Sequence, residues 1–459
     1  MTVGNQLRIQ EPTADLLDWC KKNMVLANPD YAKKVRMHLW LGNTPQKLYL
    51  MQWDGDTLVL PYGCLNTVLR LGECEVINDL PTPKEVDFGC SVPLYDYQEA
   101  AKEAMLKAYY GILQSPAGSG KTQVGIALAA ALGRKTLWLT HTRDLLSQSK
   151  NRAEQYMSPS LTGTITEGRV QIGKAITFAT VQTMCNLDLG RYRDVWDCII
   201  VDECHRVAGT PTSVTQFSRV LNSLAARHKY GLSATVHRAD GMIAATYALL
   251  GKIAYQVPEE AVADKIMTVS VLPRPTRVGL SKDFLDTDGT IIYAKLVNYL
   301  AEDFCRNGQI VGDLMLNSGH YNLILSDRLA HLEYLMAHLP KHLRDQAVMV
   351  DGKMTSKKGK AKREQAIEDM RAGKKHYLFA TYALAKEGLD IPRLDRLYLT
   401  TPQKDYAIVT QSVGRIARTF EGKGEPIVYD YVDDGIQYLV RSYKKRCTSY
   451  RKCGCKIME

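Results

Sequence analysis

The sequence has no apolar run that reaches the ~20 residues a transmembrane helix requires. It also has no charged-then-apolar segment at its start, no low-complexity tract and no internal repeat. These absences argue against a membrane role, and we expect a globular protein of the cytoplasm.

Cysteines at metal-binding spacing are absent as well. The eleven cysteines of the 459-residue chain include no Cys-x-x-Cys pair, which argues against a structural zinc site. Cys447, Cys453 and Cys455 supply three thiols without a nearby histidine. We therefore expect free thiols in a reducing compartment.

The length exceeds what one hydrophobic core usually fills, so two to four domains are expected. The net charge of +10 and the isoelectric point near 8.9 favour a polyanionic partner. Charge alone leaves a nucleic acid as one possibility among several.

Short apolar strands alternate with helix-length segments in two regions, which indicates two parallel sheets with helices on both faces. In the first ninety residues, Asp54-Gly55-Asp56 separates two apolar runs and predicts a hairpin. We divide the chain into 1–90 (accessory domain), 91–260 (first α/β domain), 261–315 (linker and helical segment), 316–440 (second α/β domain) and 441–459 (basic tail).

A glycine-rich loop follows a predicted strand and precedes a predicted helix. Its glycines let backbone amides point toward one position, and the helix start adds positive potential. This pattern predicts a site for the phosphates of ATP, with Lys121 at the terminal phosphates and the Thr122 hydroxyl on Mg²⁺. The loop consists of Ser115, Pro116, Ala117, Gly118, Ser119, Gly120, Lys121 and Thr122.

Two carboxylates, Asp202 and Glu203, directly follow an apolar strand. Together with the glycine-rich loop upstream, this pair predicts that Asp202 is the Mg²⁺ partner and that Glu203 activates the attacking water. A helix N-cap is the alternative for such a pair. Gln98 could hydrogen-bond an adenine edge, although an exposed helical glutamine is the alternative.

The second α/β region carries a further set of polar residues. Arg415 and Arg418 are three residues apart in one predicted helix, so we expect them on one face, stabilising charge on the γ-phosphate. A solvated helix face is the alternative. Gly388 permits close backbone approach, Asp390 could accept from a ribose hydroxyl, and Thr381 could meet a nucleic-acid phosphate.

These motifs occur in the order seen in superfamily two helicases, and the chain resembles the DExH branch with its XPB-like and phage UvsW-like DNA helicases or translocases. The resemblance covers roughly residues 94–435. It is carried by Gln98 and by residues 115–122, 140–146, 180–183, 202–205, 231–235, 381–392 and 411–418.

The resemblance implies two tandem RecA-like domains, preceded by a small α+β domain, that close on ATP. It implies that one set of residues couples hydrolysis to movement: His205, Ser233, Ala234, Thr235 and Gln411. It implies that another set contacts the nucleic-acid backbone: Arg143, Thr180, Gln182, Ser326 and Thr381.

The leading hypothesis is an ATP-dependent DNA helicase or translocase that moves 3′ to 5′ on single-stranded, forked or branched DNA. It would act in the cytoplasm, or in the host cytoplasm if a phage encodes it. RNA unwinding, and an ATP-gated annealing or binding scaffold without processive unwinding, are the alternatives. Trp40, Tyr49, Trp53 and Tyr62 could stack on bases or pack in a core.

Overall fold

The computed structural model describes residues 1–72, 75–83, 85–116, 118–234, 241–352, 354, 357–386, 389 and 391–458. The chain divides into two compact units, built mainly from residues 1–261 and residues 262–459. Over the described residues, no helix combines the length and the apolar character needed to cross a membrane.

The N-terminal region is a small α+β fold. Its main sheet has five strands in the order β5-β6-β2-β1-β7, and β3 pairs with β4 in a separate ribbon. The predicted hairpin is confirmed: β5 and β6 are antiparallel, with Gly55 at a φ of +57° in the turn. The elements are β1 (Thr2–Val3), β2 (Gln6–Ile9), α1 (Ala14–Asn23), β3 (Val25–Ala27), α2 (Pro29–Arg36), β4 (Lys47–Tyr49), β5 (Gln52–Asp54), β6 (Thr57–Pro61), α3 (Leu65–Leu71) and β7 (Ile77–Asn78).

The first α/β domain contains an eight-stranded sheet in the order β11-β10-β12-β9-β13-β14-β8-β15, in which only β11 is antiparallel to its neighbour. Helices cover both faces, so the central strands β9, β13 and β14 are buried along their whole length. The elements are α4 (Asp96–Ala108), β8 (Tyr110–Gln114), α5 (Lys121–Leu132), β9 (Thr136–Thr140), α6 (Arg143–Ala153), β10 (Thr162–Thr166), β11 (Arg169–Gln171), β12 (Ile176–Thr180), α7 (Val181–Cys185), β13 (Cys198–Asp202), α8 (Pro211–Ser223), β14 (His228–Ser233), α9 (Ile243–Leu250) and β15 (Ile253–Gln256).

The N-terminal region shares a hydrophobic core with this domain. Leu60 and Tyr62 lie in one buried cluster with Ala245 and Ala248 of α9. The Tyr62 hydroxyl also donates to the Arg227 carbonyl oxygen at 3.0 Å. Tyr62 is therefore a core residue, and the expectation that it could stack on bases is wrong. The other three aromatic residues of that prediction are exposed: Trp40, Tyr49 and Trp53.

The second unit holds a seven-stranded, all-parallel sheet in the order β18-β19-β17-β20-β21-β16-β22. Its core packs both faces of the central strands. The elements are β16 (Ser270–Gly279), α10 (Tyr293–Glu302), α11 (Phe304–Leu316), β17 (Asn322–Ser326), α12 (Leu329–Ala337), α13 (Lys341–Arg344), β18 (Ala347–Val350), α14 (Lys357–Arg371), β19 (Tyr377–Thr381), α15 (Tyr382–Lys386), β20 (Arg396–Leu399), α16 (Tyr406–Ile416), β21 (Ile427–Gly435), α17 (Gln437–Lys452) and β22 (Lys456–Ile457).

Strand β16 was not predicted, because Pro273 and Pro275 made its sequence look like a linker. It pairs along its length with β21, while β22 covers only Ser270 and Val271 on the other side. Beyond Val271 that side is an open edge. Proline lacks an N–H donor and is tolerated where the missing donor faces an edge. The prolines therefore fit the strand without costing a ladder hydrogen bond.

The basic C-terminal segment is a helix and a strand packed on the second sheet. Arg446 of α17 is buried and forms a bidentate pair with Asp430, at 2.7 and 2.9 Å. The Tyr450 hydroxyl donates to the same carboxylate at 2.8 Å. Arg446 thus has a structural role, while its neighbours Lys444 and Lys445 are exposed.

Candidate ATP site and nucleic-acid contacts

The glycine-rich loop has the predicted strand-loop-helix setting. It leaves β8 after Gln114 and enters α5 at Lys121. Gly118 and Gly120 adopt φ values of +87° and +77°, a left-handed conformation that favours glycine. Ser115 is fixed by its N–H, which donates to the Ser233 carbonyl oxygen at 3.0 Å. The loop therefore presents the positive start of α5, with Lys121 in its first turn, to an anion.

Gln98 lies on α4 and packs against this loop. Its side chain is buried, and its Oε1 accepts from the Tyr95 N–H at 3.0 Å. A methyl group at Gly120 would lie 2.5 Å from the Gln98 Nε2, so the glycine is needed for this close approach. The alternative of an exposed helical glutamine is wrong, and Gln98 is positioned beside the phosphate loop.

Asp202 ends β13 in a buried position. Its Oδ2 accepts from the Ser149 hydroxyl at 3.1 Å, and its Oδ1 accepts from the Glu203 N–H at 3.0 Å. Burial, followed by the neighbouring Glu203, raises the pKa of Asp202 to about 6, although Lys121 opposes the shift. A cation beside this carboxylate would relieve the same penalty, so the donor set fits a divalent ion.

Glu203 follows Asp202 in a left-handed conformation, with φ +49° and ψ +50°. This conformation is uncommon for a residue with a side chain, and such strain concentrates at functional sites. Its Oε2 lies 3.2 Å from the His205 Nδ1, which is 3.0 Å from the Ser233 hydroxyl. Through His205, the acidic pair is joined to the end of β14, where Ser233 also accepts from the phosphate loop.

The predicted nucleic-acid contacts of the first unit differ in exposure. Arg143 starts α6, is largely exposed, and forms an ion pair with Glu167 at 2.7 Å. Gln182 on α7 is exposed. Thr180 is buried, and its hydroxyl caps α7 by accepting from the Thr183 N–H at 3.2 Å. Arg143 and Gln182 are therefore the accessible side chains of this group.

The predicted nucleic-acid contacts of the second unit also differ in exposure. Ser326 ends β17 in a buried position, with its hydroxyl 3.1 Å from the His331 Nδ1. Thr381 ends β19 and is partly exposed. Both residues lie at the carboxyl ends of neighbouring parallel strands, directly opposite each other in register.

Arg418 does not share a helix face with Arg415, and that prediction is wrong. Helix α16 ends at Ile416, and Arg418 forms an isolated bridge with Ile266. Between Arg415 and Gly422 the sequence has no glycine or proline that would signal the end of the helix. Arg415 remains on α16, beyond Gln411, and donates to the carbonyl oxygens of Ala385 and Leu389, at 3.2 and 3.3 Å.

Two supporting contacts were not foreseen. Ser149, which holds Asp202, is one polar residue among several on α6, and no motif marked it. The approach of Gln98 to Gly120 also depends on packing between helices. Ala234 follows β14 directly. Four of the predicted site residues lie outside the described residues: Ala117, Thr235, Gly388 and Asp390.

Comparison with known families adds independent support. Residues 91–238 match the family described as the res subunit of type III restriction enzymes, and residues 307–420 match the helicase conserved C-terminal domain. The chain belongs to the superfamily two helicases. The prediction of an ATP-hydrolysing helicase enzyme is thereby confirmed.

Individual relatives agree with this assignment. The helicase is 26% identical over 349 residues to the probable helicase D10 of Escherichia phage T5, covering 76% of this chain and 73% of that protein. It is 31% identical over 195 residues to the DNA 3′-5′ translocase XPB2 of Sulfurisphaera tokodaii, covering 42% of each.

Among solved structures, Saccharomyces cerevisiae Dbp5 bound to RNA and ADP BeF3 superposes with a TM-score of 0.56 at 15% identity. The match covers 80% of this helicase and 90% of that chain. This likeness shows the fold, and the predicted pair of RecA-like domains is confirmed.

Proposed function

We propose that this helicase is a DNA helicase or translocase that moves 3′ to 5′ and acts on single-stranded, forked or branched DNA in the cytoplasm. The observation that carries the proposal is the connected set formed by the phosphate loop, Asp202, Glu203, His205 and Ser233. The relation to an enzyme named as a DNA 3′-5′ translocase supports the substrate and the direction, and the net charge of +10 suits a polyanion.

Each residue of this set has a proposed role in ATP hydrolysis. The amides of the loop and Lys121 bind the phosphates, and Gln98 hydrogen-bonds the adenine edge. Thr122 and Asp202 would hold Mg²⁺, which neutralises charge that develops on the phosphates. Glu203 orients the attacking water and accepts its proton.

The second unit contributes the guanidinium groups of Arg415 and Arg418, which we assign to the γ-phosphate by their place in the motif order. Arginine is suited to this task because its planar donor group matches phosphate geometry. Gly388 and Asp390 are assigned to the ribose on the same basis. Gln411 joins His205, Ser233, Ala234 and Thr235 in coupling hydrolysis to movement.

The strand-backbone contacts are assigned in both units. Arg143 and Gln182 of the first unit are accessible for phosphates and sugars, as is Thr381 of the second. Thr180 and Ser326 keep an indirect role, because their hydroxyls hold the turns that follow β12 and β17. Backbone contacts of this kind make binding tolerant of sequence and sensitive to salt.

The active-site assignment is tested by Glu203→Gln. We expect kcat for ATP to fall about 100-fold or more, because a positioned proton acceptor is lost, while nucleotide binding persists. Glu103→Gln, an exposed glutamate on α4, is the matched control and should retain the wild-type rate. A Glu203→Gln or Lys121→Ala protein that hydrolyses ATP at the wild-type rate would refute the assignment.

Substrate and direction are tested on the same protein. ATP turnover and strand displacement should be greatest with duplexes that carry a 3′ single-stranded tail, and lower with 5′-tailed duplexes and RNA. Stronger stimulation by RNA would identify an RNA helicase instead. Turnover without strand displacement would identify a translocase or an annealing scaffold.

A further inference from the structure

A cavity of about 680 Å³ lies where the N-terminal region meets the first RecA-like sheet. Its lining includes Tyr110, the first residue of β8, whereas Gln114 at the far end of β8 leads into the phosphate loop. The cavity therefore lies at the amino-terminal end of β8, and the ATP site lies at its carboxyl-terminal end. The volume falls within the ~300–1,000 Å³ typical of sites that hold small molecules.

The charged residues of the lining are all cations. They are Lys107, Arg227 and Lys252, and no described residue of the lining is an aspartate or a glutamate. Lys107 and Lys252 are exposed, and Arg227 is partly buried. Charges of one sign around a concave surface concentrate the opposite sign, so the cavity attracts an anion.

Aromatic and apolar groups complete the surface. Tyr62 and Tyr110 pack edge to face with their ring centroids 5.4 Å apart. Tyr109 is 58% exposed and has a φ of +57°, a strained conformation for a residue other than glycine. Its ring stacks on His228 at 5.4 Å, and its carbonyl oxygen lies 3.2 Å from the His228 Nδ1. These contacts hold an exposed aromatic ring at the cavity.

We propose that this cavity binds a nucleotide unit of a single-stranded nucleic acid, with its phosphate on the three cations and its base against the exposed ring of Tyr109. Base stacking on aromatic side chains contributes ~1–3 kcal/mol per base and tolerates any sequence. Asn66 and Asn78 also line the cavity, and an amide side chain can hydrogen-bond a base edge. The inference rests on the proposed function and adds a strand contact away from the motor motifs.

Photocrosslinking with full-length protein tests the proposal. The probe is single-stranded oligothymidylate that carries one 5-bromodeoxyuridine, and crosslinked peptides are mapped by mass spectrometry. We expect crosslinks at Tyr109 or Tyr110. They should fall at least five-fold in the double variant Lys107→Glu/Lys252→Glu, because phosphate binding is lost, and should persist in Lys22→Glu, an exposed lysine on α1.

A second variant tests the aromatic contact. Tyr109→Gly removes the ring while keeping a residue that accepts positive φ, so the fold should be retained and crosslinking at Tyr110 should fall. Circular dichroism verifies the folding of each variant. Tyr109→Phe, which retains an aromatic ring, should crosslink like the wild type.

Three results would overturn the proposal: no crosslink within residues 107–110, equal crosslinking in the double variant, or stronger competition by oligoglutamate than by unlabelled oligothymidylate. The last result would identify an acidic peptide as the ligand. ATP turnover measured in parallel separates the two hypotheses. If DNA stimulates turnover but no crosslink forms at the cavity, only the cavity proposal is refuted. If DNA does not stimulate the turnover of the wild-type protein, the proposed DNA helicase function is refuted.

Discussion

At the scale of single residues, Gly120 offers a sharp test of the phosphate loop. Gly120→Ala places a methyl group 2.5 Å from the Gln98 Nε2, which must displace that side chain or the loop. We expect ATP turnover to fall at least ten-fold. Gly55→Ala is the matched control, since Gly55 also has positive φ but nothing within 4 Å of the added methyl. It should cost about 1 kcal/mol of stability and leave turnover unchanged.

An unchanged KM and kcat in Gly120→Ala would contradict the packing of Gln98 against the loop. Part of this site is predictable from the residue types alone. Glycines before Lys121, and two acids after an apolar strand, were recognisable because few residue types serve those purposes. The link from His205 to Ser233 agrees with the coupling set that the family resemblance implies. The contact of Ser149 with Asp202 was not recognisable, because it depends on how α6 packs over the strands.

At the scale of elements, strands buried on both faces were predictable and elements with mixed signals were not. Strands β9 and β20 are examples of the short apolar strands that the sequence indicates, and every residue of both is buried. Strand β16 was missed because an open edge tolerates its prolines. The sequence of helix α17 has the character of a basic tail, because most of its charged side chains face solvent. The structures of β16 and α17 depend on contacts with neighbouring elements, which the local sequence pattern does not reveal.

Helix α17 gives a prediction at this scale. Arg446→Met removes the partner of buried Asp430, and an uncompensated buried charge typically costs about 3–5 kcal/mol. We expect hydrogen exchange to accelerate across α17 and β21, and the calorimetric transition of the second unit to move to lower temperature. Lys444→Met, an exposed neighbour on the same helix, should change stability by less than about 0.5 kcal/mol. Equal exchange in both variants would show that the pair is dispensable.

At the scale of the whole molecule, the N-terminal region behaves as part of the first unit rather than as a detachable module. Leu60 and Tyr62 share one core with Ala245 and Ala248. We expect deletion of residues 1–88 to expose this apolar surface, lower the stability of the first RecA-like domain and promote aggregation. Trp138 and Trp196 survive the deletion, so their fluorescence during urea unfolding measures the effect. A truncated protein with an unchanged midpoint would contradict the shared core.

Lys229 on β14 contacts both the N-terminal region and the first α/β domain. Its side chain is fully buried, and its Nζ donates to the carbonyl oxygens of Leu221 and Asn5, at 2.7 and 3.2 Å. The Nζ also lies 5.0 Å from the centre of the Tyr62 ring. Burial lowers the pKa of Lys229 from 10.5 to about 7, because the charged ammonium loses hydration that these partners replace only in part.

This pKa shift links the stability of the first unit to pH. Between about pH 7 and 10.5 the unfolded chain binds more protons at Lys229 than the folded chain does, so the free energy of unfolding rises with pH across that window. Lys229→Met removes the titrating group and hence this slope. The stability of the variant relative to wild type should therefore be greatest near pH 7 and decline by a few kcal/mol toward pH 10.

Tryptophan fluorescence isolates this effect, because all five tryptophans belong to the first unit. Urea unfolding of wild type, Lys229→Met and Lys22→Met at several pH values between 6.5 and 10 gives the comparison. Lys22 is exposed on α1, so its substitution should leave the pH slope of the wild type unchanged. If the curves for Lys229→Met and wild type run parallel, the buried lysine does not titrate in this range, and the junction between β14 and the N-terminal region is insensitive to pH.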